Sequence, residues 1–223
     1  MKAIHTLSLC LLCASAAQPL FAADSAGPWQ LKVGINRIDP KVNSGDLTAP
    51  SFPGTKIDVG AANAPIVTLG YAFTDNFTVE GFAGLPYKHD ITGQGAIHGV
   101  GKIGSVKQIS PTVIGQYHFF HPDTRFRPYL GIGATYTRAY GEEGTSVLTA
   151  LTNPGGAPTR VTIDNGWGTS LQGGLAVRVY GNWYVDLSVI KTYISTTAHL
   201  STGQSIHAKL DPIATNFSIG YHF

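Results

Sequence analysis

The chain has 223 residues but few charges: 15 Lys and Arg against 13 Asp and Glu give a net charge of +2, and charged residues make up 13%. With 27 glycines and 10% aromatic residues, this composition excludes a disordered tail and a coiled coil. The sequence has no run of Lys and Arg, whereas a groove that follows a phosphate backbone needs clustered cations, so we expect no nucleic-acid partner. The low charge and the high glycine and aromatic content favour a β protein and are compatible with one that is surrounded by lipid.

The N-terminus has the pattern of a secretory signal peptide. Lys2 and His5 precede an apolar run from Leu7 to Ala17, and small residues follow at Ala22 and Ala23. The alternative, a membrane anchor, would need a longer run to cross about 30 Å of hydrocarbon. We therefore predict that residues 1–22 are removed on export and that residues 23–223 form a single domain.

Both cysteines, Cys10 and Cys13, lie inside the predicted signal peptide. The exported chain would then have neither a disulfide nor thiol chemistry. Such a chain needs another source of stability, and the backbone hydrogen bonds of a closed barrel can provide it.

The rest of the chain shows a period of two rather than a helical period. Bulky apolar side chains alternate with small or polar ones, as in a strand with one greasy face. The C-terminus is the clearest case, where Phe217, Ile219, Tyr221 and Phe223 share one parity. Eight such strands are predicted, in residues 29–35, 67–73, 77–85, 113–119, 130–136, 171–179, 183–189 and 217–223.

The connections between these strands alternate in length. Short turns are predicted at 74–76, 121–124 and 180–182, and long polar loops at about 40–63, 91–106, 141–163 and 198–206. Long loops at one rim, tight turns at the other and an even number of strands are typical of an eight-stranded antiparallel transmembrane β-barrel in the bacterial outer membrane. Both termini then lie on the periplasmic side.

A soluble eight-stranded barrel would show the same alternation with its apolar face inside. Three features favour the membrane barrel. The bulky apolar side chains are together too large for the lumen of an eight-stranded barrel to hold. The residues that alternate with them include glycines and ionisable groups, and the chain ends on an aromatic residue. Membrane lipid and lipopolysaccharide are therefore expected to surround it.

The sequence resembles the OmpW family of outer-membrane proteins over nearly the whole exported chain. The segments that carry the resemblance occur in order, at 69–71, 74–76, 79–80, 86–89, 111–112, 116–119, 127–133, 136–137, 167–168, 172–174, 210–212 and 220–223. The sequence departs from the family pattern at Ser110 and Ile213, where the family often has a proline and an aromatic residue.

The resemblance implies an eight-stranded barrel with a narrow, largely apolar upper cavity that admits small hydrophobic molecules. We interpret the protein as a channel for their passive uptake, with lateral exit into the membrane because eight strands leave no room for an open aqueous pore. The resemblance also implies a possible role as a receptor for bacteriocins or phage. The alternatives are thus such a receptor, a structural barrel without transport, and a small ion-conducting channel.

Pro86, directly after Leu85, suggests where a solute could leave. Proline cannot donate a ladder hydrogen bond, so it belongs at an edge, a bulge or a strand end. One hypothesis places a lateral gap between the third and fourth strands here. The alternative is that the strand simply ends above the membrane.

Trp167 matches a tryptophan that the family places at the cavity. It is a candidate gate of the lumen. It alternates in step with the bulky residues that are predicted to face outward. The other interpretation therefore places it in an aromatic belt at the membrane interface.

Ionisable and amide side chains share the inward parity of the predicted barrel. Charges inside a narrow barrel need partners that offset their desolvation, which predicts a structural polar plug near the periplasmic half. A proton or ion path is the competing hypothesis. The candidate residues are Lys32, Glu80, Gln116, His118, Arg178 and Asp186.

The C-terminal residues Ile219, Tyr221 and Phe223 resemble the terminal signal read by the barrel-assembly machinery. This implies a route through periplasmic chaperones and assembly by strand addition at an edge.

The eight histidines show no metal-ligand spacing, and no nucleophile, base and acid stand out as a set. We therefore expect neither metal, cofactor nor enzymatic activity.

Overall fold

The structure, a computed structural model, describes residues 27–223. The predicted signal peptide lies outside the described residues. Among residues 27–223, no helix combines the length and the apolar character needed to cross a bilayer.

Eight strands form a closed antiparallel ring, and each contains all or all but the last residue of one of the eight predicted segments. Each strand is hydrogen-bonded to two neighbours, so the ring has no free edge. In the order in which they follow one another around it, the strands are β1 (Trp29–Asp39), β4 (Ala62–Ala72), β5 (Phe77–Gly84), β8 (Thr112–His118), β9 (Phe126–Gly144), β11 (Gly166–Tyr180), β12 (Trp183–Tyr193) and β15 (Ile213–His222).

Short turns join barrel strands at one end of the ring, as predicted, and both ends of the described chain lie there. The N–H of Trp29 donates to the carbonyl oxygen of Phe223 at 3.2 Å, and the N–H of Phe223 donates back at 2.9 Å. In outer-membrane barrels this is the periplasmic end. The opposite, extracellular end carries the long connections.

The long connections are more ordered than their polar composition predicted. They fold into further strands and one short helix, and β9 continues from the barrel into this extracellular part. Isoleucines from what were expected to be loops, among them Ile91, Ile97 and Ile103, pack with Leu148 of the helix into a second apolar core. The elements are β2 (Asn43–Ser44), β3 (Thr55–Val59), β6 (Tyr87–Gly95), β7 (Lys102–Ile109), α1 (Ser146–Thr152), β10 (Val161–Ile163), β13 (Ser195–Leu200) and β14 (Ser205–Lys209).

The bulky parity faces outward and the polar parity faces inward, as predicted. On β1, Val33 and Ile35 are 56% and 64% exposed, whereas Lys32 between Leu31 and Val33 is only 3% exposed. Aromatic side chains form a girdle near the periplasmic end, where the rings of Trp29 and Tyr71 lie 4.9 Å apart. Because the apolar side chains of the strands point outward and the polar ones inward, the outer wall faces hydrocarbon and the interior is polar.

Inward-facing glycines make room for large inward-facing side chains on the adjacent strand. Gly174 lies directly opposite Tyr129 in the pairing of β11 with β9, and Gly220 lies opposite Tyr184 in that of β15 with β12. A Cβ atom at either glycine would overlap the tyrosine ring. Glycine therefore lets an aromatic ring lie flat against the barrel wall inside a narrow lumen.

This packing predicts that Gly174→Ala destabilises the barrel. Because the hydroxyl of Tyr129 is held by Asp186, the ring cannot move aside freely, and overpacking of this kind costs about 1–3 kcal/mol. The measurement is the free energy of unfolding in denaturant, with the barrel in phospholipid vesicles.

Gly173→Ala is the matched control, since a Cβ there faces lipid and approaches only Leu130 Cδ2, at 3.7 Å. We expect it to leave the free energy of unfolding nearly unchanged. Equal losses in the two variants would contradict the role assigned to Gly174.

Candidate functional site: an uncharged cavity above a polar plug

Three cavities lie one below another, from the extracellular end down into the barrel. The first, the loop cavity, has a volume of about 60 Å³ and is lined mainly by apolar side chains of the extracellular part, including Ile97, Leu148 and Leu200. The second, the neck cavity, shares Ile57, Ile91 and other residues with the first. The cavities therefore adjoin each other.

The third, the barrel cavity, has a volume of about 80 Å³ and lies in the upper barrel. It shares Val59, Ile194 and Leu210 with the neck cavity. None of the residues between 27 and 223 that line it is charged; its walls combine aliphatic residues with neutral polar ones such as Asn36 and Tyr87.

A chain of hydroxyl groups runs around the inner wall of the barrel cavity. The oxygens of Thr112 and Thr135 are 2.8 Å apart, those of Thr135 and Ser170 2.7 Å, and those of Ser170 and Thr192 2.8 Å. On the opposite wall, Tyr87 donates to Asn36 at 2.9 Å. These groups satisfy one another, so the cavity wall is polar in places and carries no formal charge.

Below the barrel cavity, the plug closes the lumen. Lys32 Nζ lies 2.6 Å from Glu80 Oε1 and 3.3 Å from Asp186 Oδ1. Tyr129 donates its hydroxyl hydrogen to the carboxylate of Asp186, with O–O distances of 2.9 and 3.0 Å. One ammonium group thus faces two carboxylates at the centre of the barrel.

Two glutamines complete the plug beside Glu80. The Gln116 amide donates to Glu80 and, at 2.9 Å, to Gln172 Oε1. His118 Nε2 lies 3.2 Å from Gln116 Oε1, just below. Glu80 and Gln116 are fully buried, so a network of neutral and ionic hydrogen bonds fills the cross-section.

Below the plug, a wide polar vestibule opens toward the periplasm. It has a volume of about 770 Å³ and is lined by side chains that include Gln30, Arg127 and His222. The plug therefore separates a small uncharged cavity above from a large polar one below.

One seam of the barrel wall is interrupted beside the barrel cavity. The pairing of β5 with β8 ends at Phe82 opposite Thr112, and the pairing of β6 with β7 begins at Tyr87 opposite Gln108. No strand pairing joins residues 83–86 to residues 109–111, and we call this segment the gap. Ala83, Gly84 and Ser110 line both the gap and the barrel cavity.

Leu85 and Pro86 lie on one edge of the gap. Leu85 is 62% exposed on the outside, and its N–H donates to the carbonyl oxygen of Pro65 on β4 at 3.2 Å, away from the gap. Pro86 lies between the end of β5 and the start of β6. A second proline, Pro111, lies on the facing edge directly before β8.

The remaining candidate residues occupy different places. Trp167 lies on the outer face, 73% exposed and 4.9 Å from the ring of Tyr136, so its side chain does not enter the lumen and the belt interpretation fits its position. Arg178 lies at the periplasmic rim, where it donates to the carbonyl oxygen of Pro122 and takes no part in the plug.

The C-terminal residues face outward along β15. Ile219 and Phe223 are 51% and 54% exposed, and the ring of Tyr221 lies 4.9 Å from that of Trp183. They belong to the lipid-facing surface and its periplasmic girdle. Their role in assembly stays a prediction.

Sequence reasoning missed Tyr129 and Gln172 as members of the plug. Both have inward parity, so the alternation of β9 and β11 already contained the signal for their direction. A second signal was Gly174, which has no side chain at the position opposite Tyr129. Which inward residues meet across the lumen depends on the stagger of the strands, which parity does not specify.

Comparison with known proteins agrees with the architecture. Residues 25–223 match the OmpW family. The chain belongs to the OmpW family. It is a protein of the outer membrane, in line with relatives such as the outer membrane protein W of Vibrio cholerae, which is 29% identical over 221 residues covering 96% of this chain and 97% of the relative.

Two further similarities extend this OmpW-family assignment. The dibenzothiophene metabolism operon protein PahQ of Pseudomonas aeruginosa is 27% identical over 214 residues, covering 93% of each chain. The crystal structure of the outer membrane protein OprG from Pseudomonas aeruginosa superimposes with a TM-score of 0.79 at 25% identity, covering 89% of this chain and 96% of that one.

The plug predicts that Lys32→Met strongly destabilises the barrel. The substitution leaves Glu80 and Asp186 buried without their cation, and losing one partner of a buried ion pair costs about 3–5 kcal/mol. The measurement is the free energy of unfolding in denaturant.

The triple variant Lys32→Met, Glu80→Gln, Asp186→Asn is the control, because it removes all three charges together. We expect it to be more stable than Lys32→Met alone. A triple variant that is less stable than the single one would show that the charges do not depend on one another.

Proposed function

We propose that this OmpW-family barrel lets small hydrophobic molecules enter passively from outside the cell and release them sideways into the membrane. The observation that carries the proposal is that the uncharged barrel cavity shares residues with the neck cavity above it and with the gap beside it, above a closed plug. A solute that enters between the extracellular strands passes from the loop cavity to the barrel cavity and meets the gap before it meets the plug.

The lining of the barrel cavity favours neutral, mainly apolar solutes. A charged solute would lose its hydration there without gaining a counter-charge, which costs several kcal/mol. An apolar solute gains by leaving water for the aliphatic walls formed by Ile66, Ile190 and Ile194. Apolar walls discriminate weakly among such solutes, so the proposal names a class and not one compound.

The plug opposes a route straight through the barrel. Glu80, Gln116 and Asp186 are 0–2% exposed and bonded to neighbours across the lumen. An apolar solute would have to break ionic hydrogen bonds and displace polar side chains to pass. The same closure opposes a continuous water-filled path for ions.

The gap can open to hydrocarbon at little cost in unsatisfied backbone groups. In lipid, each unpaired N–H costs several kcal/mol, and proline has none. Pro86 and Pro111 therefore remove a donor from each facing edge, and the N–H of Leu85 is bonded to Pro65. Ala83 and Gly84 next to them have small side chains, which leave the opening unobstructed.

The name of one relative agrees with the solute class. PahQ is named for a dibenzothiophene metabolism operon, and dibenzothiophene is a flat, uncharged aromatic molecule. An uncharged cavity is suited to molecules of this kind.

The proposal predicts that closing the gap with a covalent bond stops uptake. Continuing the register beyond Phe82 and Thr112 would bring Ala83 opposite Pro111, so Ala83→Cys and Pro111→Cys can be joined by a disulfide or a short bifunctional thiol reagent. Accumulation of radiolabelled naphthalene by cells of a deletion strain is the measurement. We expect uptake to fall to the level of cells without the protein when the link forms, and to recover when the disulfide is reduced.

The control is the pair Val33→Cys and Val67→Cys, which face each other outward in the unbroken pairing of β1 with β4. Linking these should leave uptake unchanged. Normal uptake through the barrel with residues 83 and 111 joined would contradict a lateral exit at this seam.

A further inference from the structure

Three cations cluster on the outer wall of the barrel, at its extracellular end. Lys88 on β6, Lys107 on β7 and Arg138 on β9 are all exposed and lie on three successive strands of one sheet. We call these three residues the basic patch. Transport of an uncharged solute through the cavities does not involve them.

The pairing of the strands places these like charges side by side. Lys88 is directly opposite Lys107 in the pairing of β6 with β7, and Arg138 is opposite Ile109, two residues along β7 from Lys107. Directly opposed residues share a face, with Cβ atoms about 5 Å apart, and like charges in such a pair are destabilising. An anionic group bound at this place would relieve the repulsion.

The part of the chain that the structure describes supplies no such counter-charge. Among the described residues, none of the three cations has a carboxylate oxygen within 4.0 Å. Asp90, two residues along β6 from Lys88, is bonded to Lys102 at 2.6 Å. Glu143 lies further along β9, beyond the bulge in its pairing with β7.

The patch lies just above the lipid-facing band of the wall. Arg138 follows Tyr136, whose ring packs against Trp167 on the outer face, and aromatic pairs of this kind mark the membrane interface. Below the patch, Leu85 and Val113 are 62% and 57% exposed on either side of the gap. Cations above and apolar side chains below match a lipid with an anionic headgroup.

We propose that the basic patch binds the phosphorylated headgroup of an outer-leaflet glycolipid, with the acyl chains of that lipid lying along Leu85 and Val113. The phosphate supplies the counter-charge that Lys88, Lys107 and Arg138 lack. The acyl chains cover the outer side of the gap. The seam of the barrel is thus bordered by one bound lipid, which any solute leaving sideways must displace.

The test is titration of the full exported chain, in neutral detergent micelles, with lipid A carrying both phosphates and with the same lipid after dephosphorylation. Native mass spectrometry counts the bound lipids and gives the dissociation constant. We expect one tightly bound molecule of phosphorylated lipid A and much weaker binding of the dephosphorylated form. The double variant Lys88→Gln, Lys107→Gln should weaken binding roughly 30-fold, since each cation near a lipid headgroup contributes about one factor of five.

Arg37→Gln is the matched control. Arg37 is an exposed cation at the extracellular end of β1, between β4 and β15, and not on the strands of the patch. Its loss should leave the dissociation constant unchanged. Equal weakening by Arg37→Gln and by the double variant would overturn the proposal in favour of general attraction to the barrel.

Thermal stability gives a second readout that a merely solvated patch would not produce. Without lipid A, the double variant removes repulsion and should melt at a higher temperature than the parent protein. Phosphorylated lipid A should raise the melting temperature of the parent protein more than that of the double variant, so that the parent then melts at the higher temperature. Inorganic phosphate and the isolated bisphosphorylated disaccharide are tested separately. If either raises the melting temperature as much as lipid A does, the assignment to a lipid is overturned. It is also overturned if the double variant still melts at a higher temperature than the parent protein when phosphorylated lipid A is present.

Discussion

Hydrocarbon offers no partner to a backbone N–H or C=O group, and this constraint governs the rest of the molecule. Each of the eight strands must pair on both edges, and the pairing of β9 with β11 satisfies the last two edges by closing the ring. The interruption between residues 83–86 and 109–111 is consistent with the constraint because Pro86 and Pro111 bring no N–H to it. The interrupted seam thus has a proline, which has no backbone N–H, on each of its two edges.

Closure of only eight strands also fixes what the interior can hold. The lumen is so narrow that Tyr129 and Tyr184 fit only against Gly174 and Gly220 on the neighbouring strands. Around Lys32, polar side chains are hydrogen-bonded to one another and fill the cross-section. The interior is divided into an uncharged upper part and a polar lower part, and the gap opens from the upper part.

The sequence predicted most of the barrel because alternation with a period of two is a direct consequence of strand geometry. It located all eight strands, their faces, and four plug residues, Lys32, Glu80, Gln116 and Asp186, together with His118 just below them. It misplaced Arg178, since inward parity does not tell how far along the barrel a side chain lies. The extracellular strands were expected to be loops, because their apolar residues, such as Ile97 and Ile103, are separated by glycines and polar residues. Their core forms only when segments distant in sequence meet, which local pattern does not show.

The central claim is that the bulky apolar face of the barrel wall points to the lipid and the polar face to the lumen. Fluorescence quenching by brominated acyl chains tests this claim most directly. Single cysteines at 187, 188, 189 and 190 of β12, each carrying the same fluorophore, would be compared in bilayers of brominated lipid. The account predicts strong quenching at the positions of Leu187 and Val189 and weak quenching at those of Ser188 and Ile190, although Ile190 is apolar. Stronger quenching at 188 and 190, or no alternation at all, would contradict it.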